Sequence, residues 1–367
     1  MEIKTVLKAS VAAGALLALA APMDAVAGGS VNAANSKVDV TLGGRVHRSI
    51  HYIDDGKHDQ IFQGSGISSN SEIWLTAEGK LTESVSMGAY LRWDMPKNDA
   101  THSFGSTDGA AASTDATGTL AKYEYVYFKS ASMGTLSMGA IEPAGDGAID
   151  THNGSFAGDA QAYLSGVDIT VSGGGFSGTE ATSIIGKVDP GLDANRVRYD
   201  SPSFSGFSVG GDVEQGGGGS VAVKYSGTIA GLAVGVAGTY EADGGGTSIK
   251  GGSIKLKHST GIHAAVNYGK QNVENSTADP EYWRVVAGYD AKMNSLGNTN
   301  ISLYWEQTED KTTKGNKGEA MGIGIGQKLD AVGGNIQLDY MTFDFSDAAS
   351  TTYQDIDVVL LETSFNF

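Results

Sequence analysis

Polar and apolar residues alternate with a period of two along most of this chain, which is typical of β-strands with one wet and one apolar face. In residues 37–52 the odd positions are mostly polar and the even positions are mostly apolar. The alternation returns in residues 85–94, 282–293 and 300–306, with Trp and Tyr on the apolar faces and Arg, Lys and Asp on the polar faces. A soluble β-sandwich would have to bury those charges in its core. The pattern therefore predicts an all-β fold, a transmembrane antiparallel β-barrel with a watery interior.

The connections between the predicted strands alternate in length. Short turns are predicted at 81–84, 132–134, 201–206, 229–231, 260–261, 294–297 and 330–334. Longer polar connections, predicted to be extracellular loops, lie at 54–66, 96–117, 215–219, 242–247, 272–279, 311–318 and 347–352. The connection at 142–194 is far longer than the rest. Counting strands between these segments gives about 16, an even number that suits a bacterial barrel.

Three places depart from the alternation. Arg48 falls on the apolar face of its strand, and Val358 and Leu360 fall on a face that should be polar. The pattern of residues 335–345 changes parity near Met341, which predicts a β-bulge there.

The N-terminus carries the pattern of a secretion signal. Lys4 and Lys8 precede an apolar run at 11–21, and Ala25 and Ala27 supply small residues at both recognition positions of a cleavage site. A membrane anchor would need about 20 apolar residues, more than this run offers. We therefore predict a cleaved signal peptide at 1–27 and a barrel domain at 28–367.

The C-terminus ends on an aromatic residue. Phe367 and Phe365 continue an alternation that includes Leu361 and Val359, with the polar Thr363 as the one departure. This ending resembles the recognition signal of outer-membrane barrels. It implies that the outer-membrane assembly machinery reads Phe367 and Phe365.

Composition narrows the function. The formal charge of −17 argues against nucleic acid and anionic surfaces as partners, and in a pore it would favour cations. The chain has no Cys, which excludes thiolate catalysis, disulfides and Cys-ligated metals. The 53 Gly are spread through alternating segments, as expected of turns and close strand packing.

Catalytic and metal motifs are weak. None of the seven histidines lies in a recognisable catalytic motif, so we predict that the protein is not an enzyme: His47, His51, His58, His102, His152, His258 and His263. We also predict no cofactor. Residues 107–109 and 241–244 offer oxygen ligands for a structural Ca²⁺, but Asp/Gly loops of this kind are also typical of turns and lack the EF-hand spacing.

Four segments resemble the Gram-negative general porins. The most specific is Asn195-Arg196-Val197-Arg198-Tyr199-Asp200-Ser201-Pro202-Ser203-Phe204-Ser205-Gly206-Phe207, which is similar to the porin strand–turn–strand after the constriction loop. Residues 42–56, 123–139 and 353–367 resemble other porin strands. The resemblance implies a homotrimer of sixteen-stranded barrels among outer-membrane lipid and lipopolysaccharide, with the third extracellular loop folded into the lumen at 142–194. The chain lacks the Pro-Glu-Phe-Gly-Gly motif of the commonest enterobacterial porins.

The resemblance directs attention to charges around that loop. The acids on the candidate constriction loop are Glu142, Asp146, Asp150 and Asp159, and the wall bases that face the lumen by parity are Arg45, Lys80, Arg92, Lys122 and Arg198. Acids opposite bases would set a transverse field across a narrow pore. We therefore predict passive diffusion of small hydrophilic solutes and ions with a weak cation preference.

Two other functions stay open at this stage. The first is a substrate-selective channel, and the second is a structural or adhesive surface barrel. The first strand also bears on assembly, because its outward Val40, Leu42, Gly44 and Val46 could pack against a neighbouring barrel. Arg48 could pair across that interface, since an Arg facing mid-bilayer lipid costs about 2–4 kcal/mol.

Overall fold

The computed structural model describes residues 30–31, 37–65, 70–95, 120–154, 160–191 and 194–367. The predicted signal peptide lies outside these residues. Among them the chain forms one short helix, α1 (Ala160–Leu164), a 3₁₀ turn (Ala181–Ser183) and these strands: β1 (Ser30–Val31), β2 (Val38–Asp54), β3 (Asp59–Ser65), β4 (Glu72–Lys80), β5 (Ser86–Asp94), β6 (Leu120–Ser130), β7 (Gly134–Ile141), β8 (Asp168–Thr170), β9 (Phe176–Glu180), β10 (Ala194–Asp200), β11 (Phe207–Glu214), β12 (Gly219–Ile229), β13 (Leu232–Ala242), β14 (Thr247–His258), β15 (Ile262–Val273), β16 (Glu281–Ala291), β17 (Thr299–Glu309), β18 (Lys317–Leu329), β19 (Gly334–Ser346) and β20 (Ile356–Asn366).

The described strands close into a sixteen-stranded antiparallel barrel. From β4 onward each wall strand pairs with the next one, β7 with β10, because β8 and β9 form a separate two-stranded sheet. The ring closes where β2 pairs with β20 on one edge. On its other edge β2 pairs first with β4 and then with β3, so that β3 and β4 together occupy one position in the wall. Phe367 continues this seam, because its backbone exchanges two hydrogen bonds with Gly44. The predicted barrel and its strand number are confirmed.

The two faces of the wall carry opposite chemistry. His47, Ser49 and His51 of β2 are buried, whereas the neighbouring Val46 and Ile50 are 46% and 38% exposed. Trp283 and Leu303 are likewise exposed beside buried polar neighbours on their strands. We call these the polar face and the apolar face of the wall. Among the described residues, no helix is both long enough and apolar enough to cross a membrane.

Two local predictions are wrong. The connection predicted at 54–66 is mostly strand, because β3 returns along β2 after a short turn at 55–58. The bulge predicted near Met341 does not form, since β19 keeps an unbroken register with both β18 and β20. The register shift in this wall lies instead between β5 and β6, at Arg92 and Trp93.

An apolar cluster on the polar face explains the residues that broke the alternation. Met341 and Phe343 of β19 and Val358 and Leu360 of β20 are fully buried there. They pack with apolar side chains from the long connection between β7 and β10, which include Tyr163, Leu164, Val167, Ile169, Ile184 and Ile185. These strand positions are apolar because they face another part of the protein instead of water.

Candidate channel lining

The first limb of the connection between β7 and β10, residues 142–154, follows the polar face of successive strands. The backbone N–H of Ala144 donates to Asp212 Oδ2 of β11 at 2.6 Å, and that of Gly145 donates to Ser220 Oγ of β12 at 3.1 Å. Lys224 Nζ of β12 donates to the Asp146 carbonyl at 3.2 Å. Farther along, Asn300 of β17 donates to the carbonyl of Asn153 at 2.9 Å. This limb is therefore held by its backbone.

Asp150 holds the middle of the first limb by charge. Its Oδ1 lies 2.6 Å from Nη1 of Arg284, a fully buried residue of β16, and its Oδ2 lies 3.4 Å from Lys187 Nζ. Burial opposes ionisation of Asp150, but Arg284 and Lys187 outweigh it and lower the pKa of this carboxyl to about 2. Asp150 is therefore ionised and largely neutralised by two cations.

The last limb of the connection, residues 186–191, returns across the same strands. Gly186 exchanges two hydrogen bonds with Thr308 Oγ1 of β17, at 3.1 and 2.9 Å. Gly191 N–H donates to Glu241 Oε1 of β13 at 2.8 Å. Between them, Lys187 Nζ lies 2.6 Å from Asp189 Oδ2, and burial raises the pKa of Asp189 to about 6 despite the attraction of Lys187. The first and last limbs therefore cover the polar face from β11 to β17.

A basic cluster occupies the polar face on the other side of the barrel. Glu72 of β4 sits at its centre, with Arg45 Nε of β2 at 3.0 Å and Arg92 of β5 also paired to it. Arg92 Nε lies 3.0 Å from Asp94 as well. The β5–β6 register shift adds Lys122, whose Nζ lies 5.4 Å from the centre of the Tyr123 ring. Lys122 is the extra residue of this bulge, and a bulge can turn a side chain toward a face that regular alternation would not give it.

Below this cluster, tyrosines follow the polar face toward the short turn at 131–133. Tyr123, Tyr125 and Tyr127 occupy alternate positions of β6, and Tyr90 of β5 stands directly opposite Tyr125. The Tyr90 ring centre lies 5.4 Å from that of Tyr125 and 6.1 Å from that of Tyr123. These rings line a cavity of about 490 Å³ together with Thr76, Lys129, Thr135, Ser137, Ile141, Glu142, Arg198 and Asp200.

The relation to known proteins follows from sequence and fold together. A sequence profile of the Gram-negative porins matches residues 12–361. The chain belongs to this family. It is accordingly an outer-membrane channel, since both the family and the sixteen-stranded barrel point to that membrane. A search of curated protein sequences gives no match.

Several solved structures share the fold at low sequence identity. The in-vitro folded OmpT of Vibrio cholerae, in its trimer form, has a TM-score of 0.59 and 12% identity over 90% of this chain and all of its own. The anion-selective porin from Comamonas acidovorans gives 0.58 and 16%, also over 90% of this chain and all of its own. Salmonella typhi OmpF in complex with daunomycin gives 0.56 and 14%, over 92% of this chain and all of its own. At these identities the likeness concerns the fold alone.

The predicted basic residues of the porin lie in three places. Arg45, Arg92 and Lys122 come together around Glu72, on the wall of β2 to β6. Arg198 of β10 lies apart from them: its guanidinium pairs with Asp200 and donates to the carbonyls of Glu142 and Pro143, at 3.1 Å each. Lys80 is exposed at the end of β4. That each contributes to ion selectivity stays a prediction.

The predicted acids also differ in their surroundings. Glu142 accepts a hydrogen bond from the Tyr123 hydroxyl at the start of the connection. Asp146 is half-buried on the first limb, and Asp150 is the acid paired with Arg284 and Lys187. Asp159 lies outside the described residues. Their role in selectivity likewise stays a prediction.

Two important residues were missed at the sequence level, Glu72 and Arg284. Arg284 stood on the polar face of a predicted strand, so parity could have identified it. Glu72 begins a strand whose alternation is short, and only its pairing opposite Arg45 and Asp94 reveals its place.

The candidate calcium positions give no new support for a metal. Asp243 accepts backbone N–H bonds from Gly245 and Thr247, which are turn interactions that lower its pKa. Glu241 instead receives the Gly191 N–H. In the part of the chain that the structure describes, no three carboxylate or imidazole groups gather as metal ligands. Residues 107–109 lie outside that part.

Proposed function

We propose that this porin is a passive diffusion channel for small hydrophilic solutes and ions with a weak cation preference, and that its 142–194 connection folds into the lumen as the constriction. The observation that carries the proposal is the set of contacts between this connection and the polar face of β11 to β20. In an outer-membrane barrel the apolar face meets lipid, so the polar face is the one that bounds the interior. A segment packed on it narrows the path.

The charges favour a field across that path. Asp146 belongs to the part of the connection held on β12, whereas Arg45, Arg92 and Lys122 lie around Glu72 on the wall of β2 to β6. Glu142 lies at the start of the connection and is hydrogen-bonded to Tyr123 of that same wall. Rings of charge at a constriction select ions by sign. Asp150 adds less than the sequence implied, because Arg284 and Lys187 neutralise it. The net charge of −17 supports a preference for cations. We propose that the preference is weak, because bases line the wall of β2 to β6 and two cations neutralise Asp150.

We propose the same assembly that the sequence implied. A homotrimer is supported by the aliphatic apolar face of β2, where Leu42 and Val46 are 41% and 46% exposed, and by the trimer form of the similar OmpT. Outer-membrane lipid and lipopolysaccharide would surround the rest of that face. Phe367 and Phe365 serve as the assembly signal. The barrel is a channel and not an enzyme; absence of hydrolysis of lipid and peptide substrates by the purified protein tests this.

A salt-gradient recording in planar bilayers tests the proposal. The expected result is stable ohmic steps whose reversal potential favours cations slightly, and a shift toward anions for the combined Asp146→Asn, Asp150→Asn and Asp159→Asn variant. Glu83→Gln, which removes an acid from the exposed short turn between β4 and β5, serves as a matched control. An unchanged reversal potential in the triple variant would place the constriction elsewhere. Saturation of the current by one solute would favour the substrate-selective alternative.

A further inference from the structure

The tyrosines of β5 and β6 form a surface that ion conduction alone does not need. Four rings, those of Tyr90, Tyr123, Tyr125 and Tyr127, line one side of a single cavity, and adjacent ring centres lie 5.4 to 6.3 Å apart. The intervening residue Val126 points to the apolar face and is 37% exposed. Alternate positions of a strand are about 7 Å apart, so the rings of β6 follow one another at regular steps along the wall.

The polar groups around these rings are numerous but balanced in charge. Lys129 and Arg198 are the cations of the cavity lining, and Glu142 and Asp200 are its anions. Arg198 is already paired with Asp200 at 2.8 Å. Because the lining carries two charges of each sign, it offers no net attraction to an ionic solute.

The rings also have polar edges. The Tyr127 hydroxyl donates to Glu78 at 2.7 Å, and the Tyr123 hydroxyl donates to Glu142. Hydroxyl side chains of Thr76, Thr135 and Ser137 stand beside the rings in the same lining. Tyr123 is only 7% exposed and has Arg92 and Lys122 beside its ring, so the accessible faces are those of Tyr90, Tyr125 and Tyr127. The cavity lining therefore combines flat apolar faces with many hydrogen-bonding groups and equal numbers of cations and anions.

We propose that these tyrosines form a binding track for neutral carbohydrate, which takes up sugars on their way through the channel. The apolar C–H face of a pyranose would pack on a tyrosine ring, while its hydroxyls would exchange hydrogen bonds with the surrounding hydroxyl, carboxylate and guanidinium groups. The cavity volume of about 490 Å³ falls within the usual range for small-molecule sites. A row of rings lets a short oligosaccharide move from one to the next without losing every contact at once.

The inference rests on the proposed channel function and names a solute class for it. The test is current block: wild-type channels in KCl should show concentration-dependent, saturable interruption by maltotriose and cellotriose. Tyr125→Leu should reduce the apparent affinity about fivefold to tenfold, as expected for the loss of one aromatic stacking partner. Tyr125→Phe, which keeps the ring, should retain most of the affinity.

Two controls make the result specific. Tyr240→Leu removes a tyrosine that is 50% exposed on the apolar face of the wall, and it should leave sugar block unchanged. A polyethylene glycol of the same hydrodynamic size has no pyranose face, and it should block much less than the trisaccharide. Normal KCl conductance and heat-modifiability of each variant show that the barrel has folded.

The outcomes separate the track from the channel. Ohmic conduction without saturable sugar block, or equal block by the polyethylene glycol, would overturn the track and leave the channel function standing. A barrel that does not conduct would overturn the channel function instead. In that case calorimetric titration of the detergent-solubilised barrel with maltotriose tests the track directly, and absence of binding would overturn it.

Discussion

The two halves of the barrel interior use the same strand periodicity for different purposes. From β11 to β20 the polar face contacts the described parts of the connection, residues 142–154 and 160–191, and an apolar cluster containing Leu164, Phe343 and Val358 is buried there. From β4 to β7 it carries the Arg45–Glu72–Arg92 cluster and the tyrosines, which border a cavity. The first half holds the connection, and the second half borders the open cavity that we propose solutes use. Apolar residues on an inner face therefore indicate contact with another segment of the protein. A mixture of charged, hydroxyl and aromatic residues on that face indicates a surface left uncovered.

Leu164→Ala should have the largest effect, because it should loosen the connection that covers the first half. Leu164 of α1 belongs to the connection and is fully buried against the wall, and truncation of such a residue costs about 2–5 kcal/mol of packing free energy. The connection should loosen while the wall keeps its backbone pairing. We expect larger, noisier single-channel currents and faster proteolysis within 142–194. Leu303→Ala, whose side chain is 60% exposed on the apolar face, should change neither.

Asp150→Asn should weaken the same half by electrostatics. Removal of a hydrogen bond to a charged group costs about 1.5–3 kcal/mol. The fully buried Arg284 loses its 2.6 Å carboxylate partner in this variant. Thermal melting of the detergent-solubilised barrel should show a lower midpoint for Asp150→Asn, with the Asp146→Asn variant near the wild type. Equal melting of both variants would contradict the role given to Asp150.

On the open half, the combined Arg45→Gln and Arg92→Gln variant should shift the reversal potential toward cations and enlarge the conductance. The reason is that Glu72 then loses its two cations and the wall turns acidic. Adding Glu72→Gln to this variant restores neutrality and should return the reversal potential most of the way. If neither variant differs from wild type in a salt gradient, the cluster does not border the permeation path.

The smallest effect is the protonation of Asp189. Its pKa of about 6 lies above the ordinary value of 3.8, so the folded protein binds this proton more tightly than the unfolded chain. Its contribution to stability therefore rises as the pH falls from above 6 to about 4. The carboxylate charge disappears over the same fall, so the reversal potential should move slightly toward anions between pH 7 and pH 5. Asp189→Asn should reduce that movement, whereas Asp150, with a pKa of about 2, does not titrate in this range.

The alternation of residues was enough to predict the barrel, its strand number and its two faces. Each strand repeats the same local rule, and closure satisfies every backbone hydrogen bond in lipid. The alternation along each strand also assigned Arg45 and Arg92 to the inner face, without any information about the residues that they contact. These features depend on residues close in the chain.

Contacts between distant residues were decided by tertiary structure alone. Val358 and Leu360 broke the alternation, and the sequence offered no reason, because the residues that cover them lie some 190 positions earlier, at Tyr163 and Leu164. The same limit applies to Asp150, which a sequence identifies as an acid on a loop but whose neutralisation by Arg284 depends on where that loop crosses β16. Periodicity determines which face a side chain occupies. What stands opposite that face depends on the path of a long connection, and no short-range pattern encodes that path.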